Sequence, residues 1–238
     1  MTSLNILSGG AAQGLVRSLA PAFKAKTGLD IEGEFGAVGA MADKLRAGRP
    51  ADIVILTEAL VWTLTQERLV APASVKNVGV VETALAVRAN DPGISAPDRE
   101  SLRKALLAAD AIYVPDIKAS TAGIHVAKVL ALLGVDKEVE SRLKIYPNGA
   151  TAMRHLAESP ARRPIGCTQS TEIIGTPGVM LSGALPAGCE LATMYTAAVK
   201  AGAVRPQEAQ ILIELLIAAD HREFRRRAGF LEPVKEPG

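Results

Sequence analysis

"VKNVGVVETALAVR", residues 75–88, is a β-rich run broken by one glycine, Gly79. It is far longer than the usual strand of about five or six residues. It must therefore bend or cross from one sheet to another, and what lies on either side makes it a hinge between two α/β lobes. Before it, three strand–helix units follow one another. "LNILS" (4–8) leads into a helical pattern with Leu15, Val16, Leu19 and Phe23 on one face, stopped at Gly28, with Pro21 expected to distort it locally. "DIEGEF" (30–35) precedes a helix carrying Met41 and Leu45 and stopped by Gly48. "ADIVIL" (51–56) precedes a third, with Leu60, Val61 and Leu64.

After the long run a second α/β set begins. Its pattern predicts helices over 99–109, 121–133 and 149–158, with strands "AIYVP" (111–115) and "PIGCT" (164–168). "VMLSGAL" and "LATMYTAAV" read as strands returning the chain, and a closing helix starts at Pro206, a residue suited to a first turn. The tail "EPVKEPG" is expected to fray. The predicted architecture is α/β with two lobes, each a mixed, mostly parallel sheet flanked by helices. Residues 1–80 and 190–238 form the discontinuous first lobe and 81–189 the second. Ligands in open α/β sheets bind beyond the carboxyl ends of the strands, so the cleft is expected between the lobes.

The bulk composition narrows the function. The 27 basic and 25 acidic residues leave a net charge of +2, no footprint for nucleic acid. Aromatic residues make up only 3%, too few for stacking platforms. The densest basic cluster, Arg222, Arg225, Arg226 and Arg227, reads as a solvated helix end. Cys167 and Cys189 set no disulfide framework and are expected to be free and buried. No stretch approaches the ~20 apolar residues of a membrane span, so no membrane insertion is expected. Without a basic, apolar leader the sequence reads as cytoplasmic as it stands, or as periplasmic if a signal peptide was removed.

The chemistry gathers where strands meet helices. After the first strand come Ser8, Gly9, Gly10 and Gln13; after the second, "GAVGAM" with Val38; after the third, Thr57 and Glu58. In the second lobe, "KASTAGIH" puts Thr121, Ala122 and Gly123 at a helix start, with His125 one turn in. "YPNGAT" supplies Asn148 and Gly149, and "GCTQSTEI" supplies Thr168, Gln169, Ser170 and Thr171. Free N–H groups and the positive end of the helix dipole make such starts natural anion sites. There is no dinucleotide fingerprint, phosphate loop or metal-ligand spacing, so neither cofactor nor metal is expected. His125 and Glu58 are the candidate catalytic groups, while Glu172 reads as structural.

The succession "ILSGGAAQGL … FGAVGAMADKLRAGRPADIVILTEA … PDIKASTAGIHVAKVL … NGATAM … PIGCTQSTEI" resembles the molybdate-binding proteins of ABC transporters across roughly residues 4–230. The resemblance implies a type II periplasmic-binding-protein fold with two lobes and a hinge. That family holds its oxyanion with serine hydroxyls after the first strand and at the second helix start, and with a tyrosine late in the second lobe. The counterparts here are Ala11, Val38 or Gly39, and Gln169, so molybdate and other oxyanions fit poorly. Aconitate isomerases are similar proteins of the same superfamily that are enzymes. The expected ligand is a small organic anion, a di- or tricarboxylate, with a carboxylate isomerase as the alternative and molybdate binding as a further one. An ABC permease is a partner only if a leader is missing.

Overall fold

The computed structural model describes residues 3–232; the tail from Pro233 onward, expected to fray, lies outside them. In chain order the elements are β1 (Ser3–Gly9), α1 (Gln13–Thr27), β2 (Asp30–Gly36), α2 (Val38–Arg46), β3 (Ile53–Thr57), α3 (Glu58–Gln66) and the long β4 (Lys76–Arg88). There follow α4 (Arg99–Ala108), β5 (Ala111–Pro115), α5 (Thr121–Leu132), the single turn α6 (Asp136–Val139), β6 (Leu143–Tyr146), α7 (Gly149–Ala157), β7 (Pro164–Gln169), α8 (Ser170–Ile174) and β8 (Val179–Ala184). The chain closes with β9 (Ala192–Val199), α9 (Pro206–Ile217) and the short α10 (Arg222–Arg227). Two compact units result, Met1–Val81 with Thr193–Gly238 and Glu82–Ala192, and β4 carries the chain from one into the other.

In the first unit the strand order is β2-β1-β3-β9, with the first half of β4 next. β1 runs parallel to β2 and β3, and β9 runs antiparallel to β3. All five residues of β3 are buried, as expected of a central strand covered on both faces. Leu15, Val16, Leu19 and Phe23 of α1 pack with Leu4, Ile6, Ile53, Leu212 and Leu216 in one core. α1 runs through Pro21 and ends at Gly28, whose left-handed φ of 74° suits glycine and lets its N–H reach the Lys24 carbonyl.

The second unit has the order β8-β4-β7-β5-β6. β5 is parallel to β6 and β7, whereas β4 is antiparallel to β7 and β8. The molecule is thus mixed α/β, as predicted, with parallel and antiparallel pairings in near balance rather than mostly parallel. β6 has no counterpart in the sequence reading. Its four residues are half-buried or exposed at the sheet edge, so they carry neither an apolar run nor an alternation.

The arginine cluster is a correction. α9 stops at Ile217, and the arginines lie on the separate α10. Arg225 is buried and donates to the carbonyls of Leu216 (3.1 Å) and Ala218 (2.8 Å). Those carbonyls at the end of α9 have no partner within the helix, and a guanidinium supplies the donors. Arg222, Arg226 and Arg227 remain exposed.

Buried Asp52, just before β3, ties three segments together. One carboxylate oxygen accepts from the Asn5 N–H (2.9 Å), the other from the N–H groups of Val204 (2.9 Å) and Arg205 (3.0 Å) ahead of α9. Asp52→Ala would strand three amide donors, so we expect a loss of about 3 kcal/mol, with a smaller loss for Asp52→Asn, which keeps one acceptor oxygen. Urea unfolding measures both; an unchanged midpoint in Asp52→Ala would remove the carboxylate from this role.

Candidate functional site

Parallel pairing of β5, β6 and β7 brings their carboxyl ends to one edge of the second unit, where each strand feeds a helix. β5 leads to α5 through Ser120, β6 to α7 through Asn148, and β7 directly to α8 through Gln169. The antiparallel β4 sets Thr83 directly opposite Gln169 at the same edge. Asn148 caps α7, its side chain accepting from the Thr151 N–H at 2.8 Å.

Glu172 in α8 is buried beside these helix starts. Thr168 Oγ1 donates to its carboxylate at 2.6 Å, and the backbone N–H groups of Ala150, Gly149 and Gln169 also bond to it. A side chain at Gly149 would collide with both Glu172 and Thr168, so glycine is required there by close approach. Burial pushes the Glu172 carboxyl above the ordinary carboxylate range, and the four hydrogen bonds pull in the opposite direction without overcoming it. The sequence-selected Thr168 and Gly149 are thus both engaged by a residue that the sequence reading set aside as structural.

Three side chains at this edge are buried yet lack hydrogen-bond partners among the described residues. They are Gln169, at both amide atoms, and the hydroxyls of Thr83 and Thr171. Their exposures of 3%, 1% and 5% leave little access to solvent. Buried polar groups are normally paired, so an unpaired set on strand ends marks a place for a ligand. Sequence reasoning chose Gln169 and missed Thr83, which follows Glu82 in β4 and whose pairing is not local. Thr171 was visible only as part of the same junction.

At α5, Thr121 is half-buried, while Ala122 and Gly123 are buried. Gly123 lies against the carbonyls of Pro115 and Asp116, so its lack of a side chain serves helix packing. The Asp116 carboxylate accepts from the N–H groups of Lys118 and Ala119, which hold its pKa below the usual value. Half-buried His125 donates from Nε2 to the Cys189 carbonyl at 2.8 Å, leaving Nδ1 as the nitrogen with a lone pair. Cys189 and Cys167 are free and buried, and burial pushes the Cys167 thiol up to about 12.

The first unit has its own carboxyl edge. Ser8 is buried, and its hydroxyl donates to the Gly9 carbonyl at 2.9 Å. Gly9 packs so closely on Val38 and Tyr195 that a Cβ would fall 2.7 Å and 2.9 Å from their carbons. Gly10 opens a short turn before α1, and Gln13 is half-buried in its first turn. Thr57 precedes α3, opposite Tyr195 in the β3–β9 register, and makes no side-chain cap bond. Glu58 is exposed and accepts from Asn77 Nδ2 at 3.1 Å. The two candidate catalytic groups therefore belong to different units, Glu58 to the first and His125 to the second.

Among the described residues no group of three or more His, Cys, Asp or Glu is placed to hold a metal ion. A mainly apolar pocket of about 300 Å³ lies at the amino end of β7, lined by Val87, Ile94, Ala105, Arg162, Pro164 and Ile165. It contains none of the unpaired side chains, which stand at the other end of β7.

Comparison with known proteins gives the family and the fold. The chain matches the bacterial extracellular solute-binding protein family over residues 4–231. It is 25% identical to an aconitate isomerase from Pseudomonas sp, over 98% of this chain and 89% of that protein. The periplasmic molybdate-binding protein of Azotobacter vinelandii shares the fold with a TM-score of 0.80 at 18% identity, covering 97% of this chain and 99% of its own. The sulfate-binding protein of Mycobacterium tuberculosis does so at 0.75 and 19%, covering 99% and 88%. These likenesses bear out the resemblance to molybdate-binding proteins read from the residues.

Two variants test the Glu172 cluster. Gly149→Ala forces a methyl into the Thr168–Glu172 contact, with an expected cost of about 1–3 kcal/mol in urea unfolding. Because the folded-state pKa of Glu172 is raised, its contribution to stability is full below the ordinary value of 4.5 and is lost as pH rises through the folded value. Glu172→Gln keeps an acceptor oxygen without the charge, so the wild type should lose stability relative to it as pH rises above the ordinary carboxyl value of 4.5. Parallel curves for the two proteins would show that the carboxyl is not perturbed.

Proposed function

Because the chain belongs to the bacterial extracellular solute-binding protein family, we propose that it binds a small organic anion, a di- or tricarboxylate, at the carboxyl ends of its strands. The observation that carries this reading is the buried, unpaired set of Thr83, Gln169 and Thr171 beside the helix starts of the second unit. Hydroxyl and amide donors with the N-terminus of α5 suit carboxylate oxygens. α7 offers less, since Glu172 already accepts from its first N–H groups.

The molybdate- and sulfate-binding neighbours support an oxyanion as the competing ligand. Against it stands the lack of side-chain hydroxyls at Ala11, Val38 and Gly39, where a compact dianion would need donors. The family's description supports a place outside the cytoplasm. Among the described residues no helix is long and apolar enough to cross a membrane.

The Pseudomonas aconitate isomerase favours a second reading, proton transfer beside a carboxylate. With Nε2 held by Cys189, Nδ1 of His125 is the nitrogen that would accept a proton, and Glu58 is the alternative base.

Calorimetry with citrate, malate, succinate, both aconitates, molybdate and sulfate tests the binding reading. We expect a carboxylate to bind with Kd of about 10 µM or tighter, and molybdate at least ~100-fold more weakly. Micromolar molybdate binding with no carboxylate bound would overturn it. Proton NMR of the aconitates in deuterated water tests the isomerase. Deuterium uptake lost in His125→Ala or Glu58→Gln would establish turnover, and none over hours beside tight binding would leave a binding protein.

A further inference from the structure

We infer that the ligand carries a hydrogen-bond donor next to a carboxylate, making it a hydroxy-polycarboxylate; this rests on the carboxylate reading above. Gln169 decides it. Its amide presents two kinds of group side by side, an Nε2 that only donates and an Oε1 that only accepts, and both are buried without a partner among the described residues. The cross-strand neighbour Thr83 is equally buried and unpaired, so it does not serve Oε1. Thr171, two residues on, is in the same condition.

An ionised carboxylate, a sulfate or a molybdate offers acceptors only. Any of them satisfies Nε2 and the two hydroxyls, which rotate to donate, but leaves Oε1 buried against another oxygen. The ligand must therefore bring an O–H or N–H. Carboxyl groups titrate at about 4 in water, so at neutral pH a polycarboxylate has few acid protons to offer, and a hydroxyl brings the donor without the positive charge that an ammonium would bury. A 2-hydroxy acid fits the amide edge with two bonds, Nε2–H to a carboxylate oxygen and hydroxyl O–H to Oε1. The hydroxyl oxygen stays free to accept from Thr83 or Thr171.

Gln169 is held for this task. All six residues of β7 are buried, β4 pairs with the strand on one side and β5 on the other, and α8 starts at the next residue. Its backbone has little freedom to turn the amide toward a different partner. A site with such a fixed acceptor discriminates strongly against a ligand lacking the hydroxyl, because the buried group is then left unpaired.

Matched pairs on the full chain at neutral pH test this by calorimetry: malate against succinate, and citrate against tricarballylate. We expect the hydroxylated member of at least one pair to bind about tenfold or more tightly than its partner. Gln169→Met, which removes both polar atoms at similar volume, should bring that ratio close to one while the deoxy acid still binds. Equal affinity within both pairs in the wild type, or a ratio that survives in Gln169→Met, overturns the inference and leaves the carboxylate reading standing. Failure of all four acids to bind overturns that reading, and this inference with it. The wild-type ratio needs no variant, so the outcome stands even if Gln169→Met does not fold.

Discussion

Each unit is organised around a buried carboxylate set against backbone N–H groups that have no other acceptor. In the first, Asp52 gathers the amides of Asn5, Val204 and Arg205, so the start of β1 and the approach to α9 meet beside β3. In the second, Glu172 gathers those of Gly149, Ala150 and Gln169 together with the Thr168 hydroxyl, binding the starts of α7 and α8 to the end of β7. Amides at helix starts are unpaired by construction, and burying them unsatisfied is costly. A carboxylate satisfies several at once, at the cost of its own desolvation. That balance is visible at Glu172, where burial outweighs four hydrogen bonds.

Glu172 also shapes what the edge can bind. Three helices begin there, and the chain's own carboxyl group already occupies the start of α7. A ligand carboxylate must therefore look to α5 and to the unpaired side chains. The fixed charges that attract any anion are absent from that set: Thr83, Gln169 and Thr171 are neutral. Neutral groups contribute direction rather than long-range attraction, so recognition depends on where a ligand places its donors and acceptors.

Much of the fold was legible because it is written in local patterns. Alternating apolar strands and amphipathic helices located β1 to β3 with α1 to α3, and the unbroken run 75–88 located β4. The four-residue β6 was not, because an exposed edge strand has no periodicity. Arg225 was misread because its partners, the carbonyls ending α9, are known only once the helix is seen to stop at Ile217. At the site, the junction glycines and caps were found from sequence, whereas their partners were not. Gly149 looked like a turn residue, yet what demands glycine is Glu172, twenty-three residues on. Thr83 and Gln169 are eighty-six residues apart and meet only through antiparallel register.

That register also explains how two of the unpaired groups come to stand together, while a third unpaired hydroxyl, that of Thr193, lies in the other unit. Strand pairing sets the backbones of Thr83 and Gln169 opposite each other, and the Thr83 N–H is held by the Leu191 carbonyl at 2.9 Å. The side chains then project from one face of the sheet as direct cross-strand neighbours. A slip of one residue would turn either side chain to the opposite face, and any slip would break the pairing of a strand buried along its whole length. The sheet therefore keeps the two groups side by side, at the edge where we propose that the ligand binds.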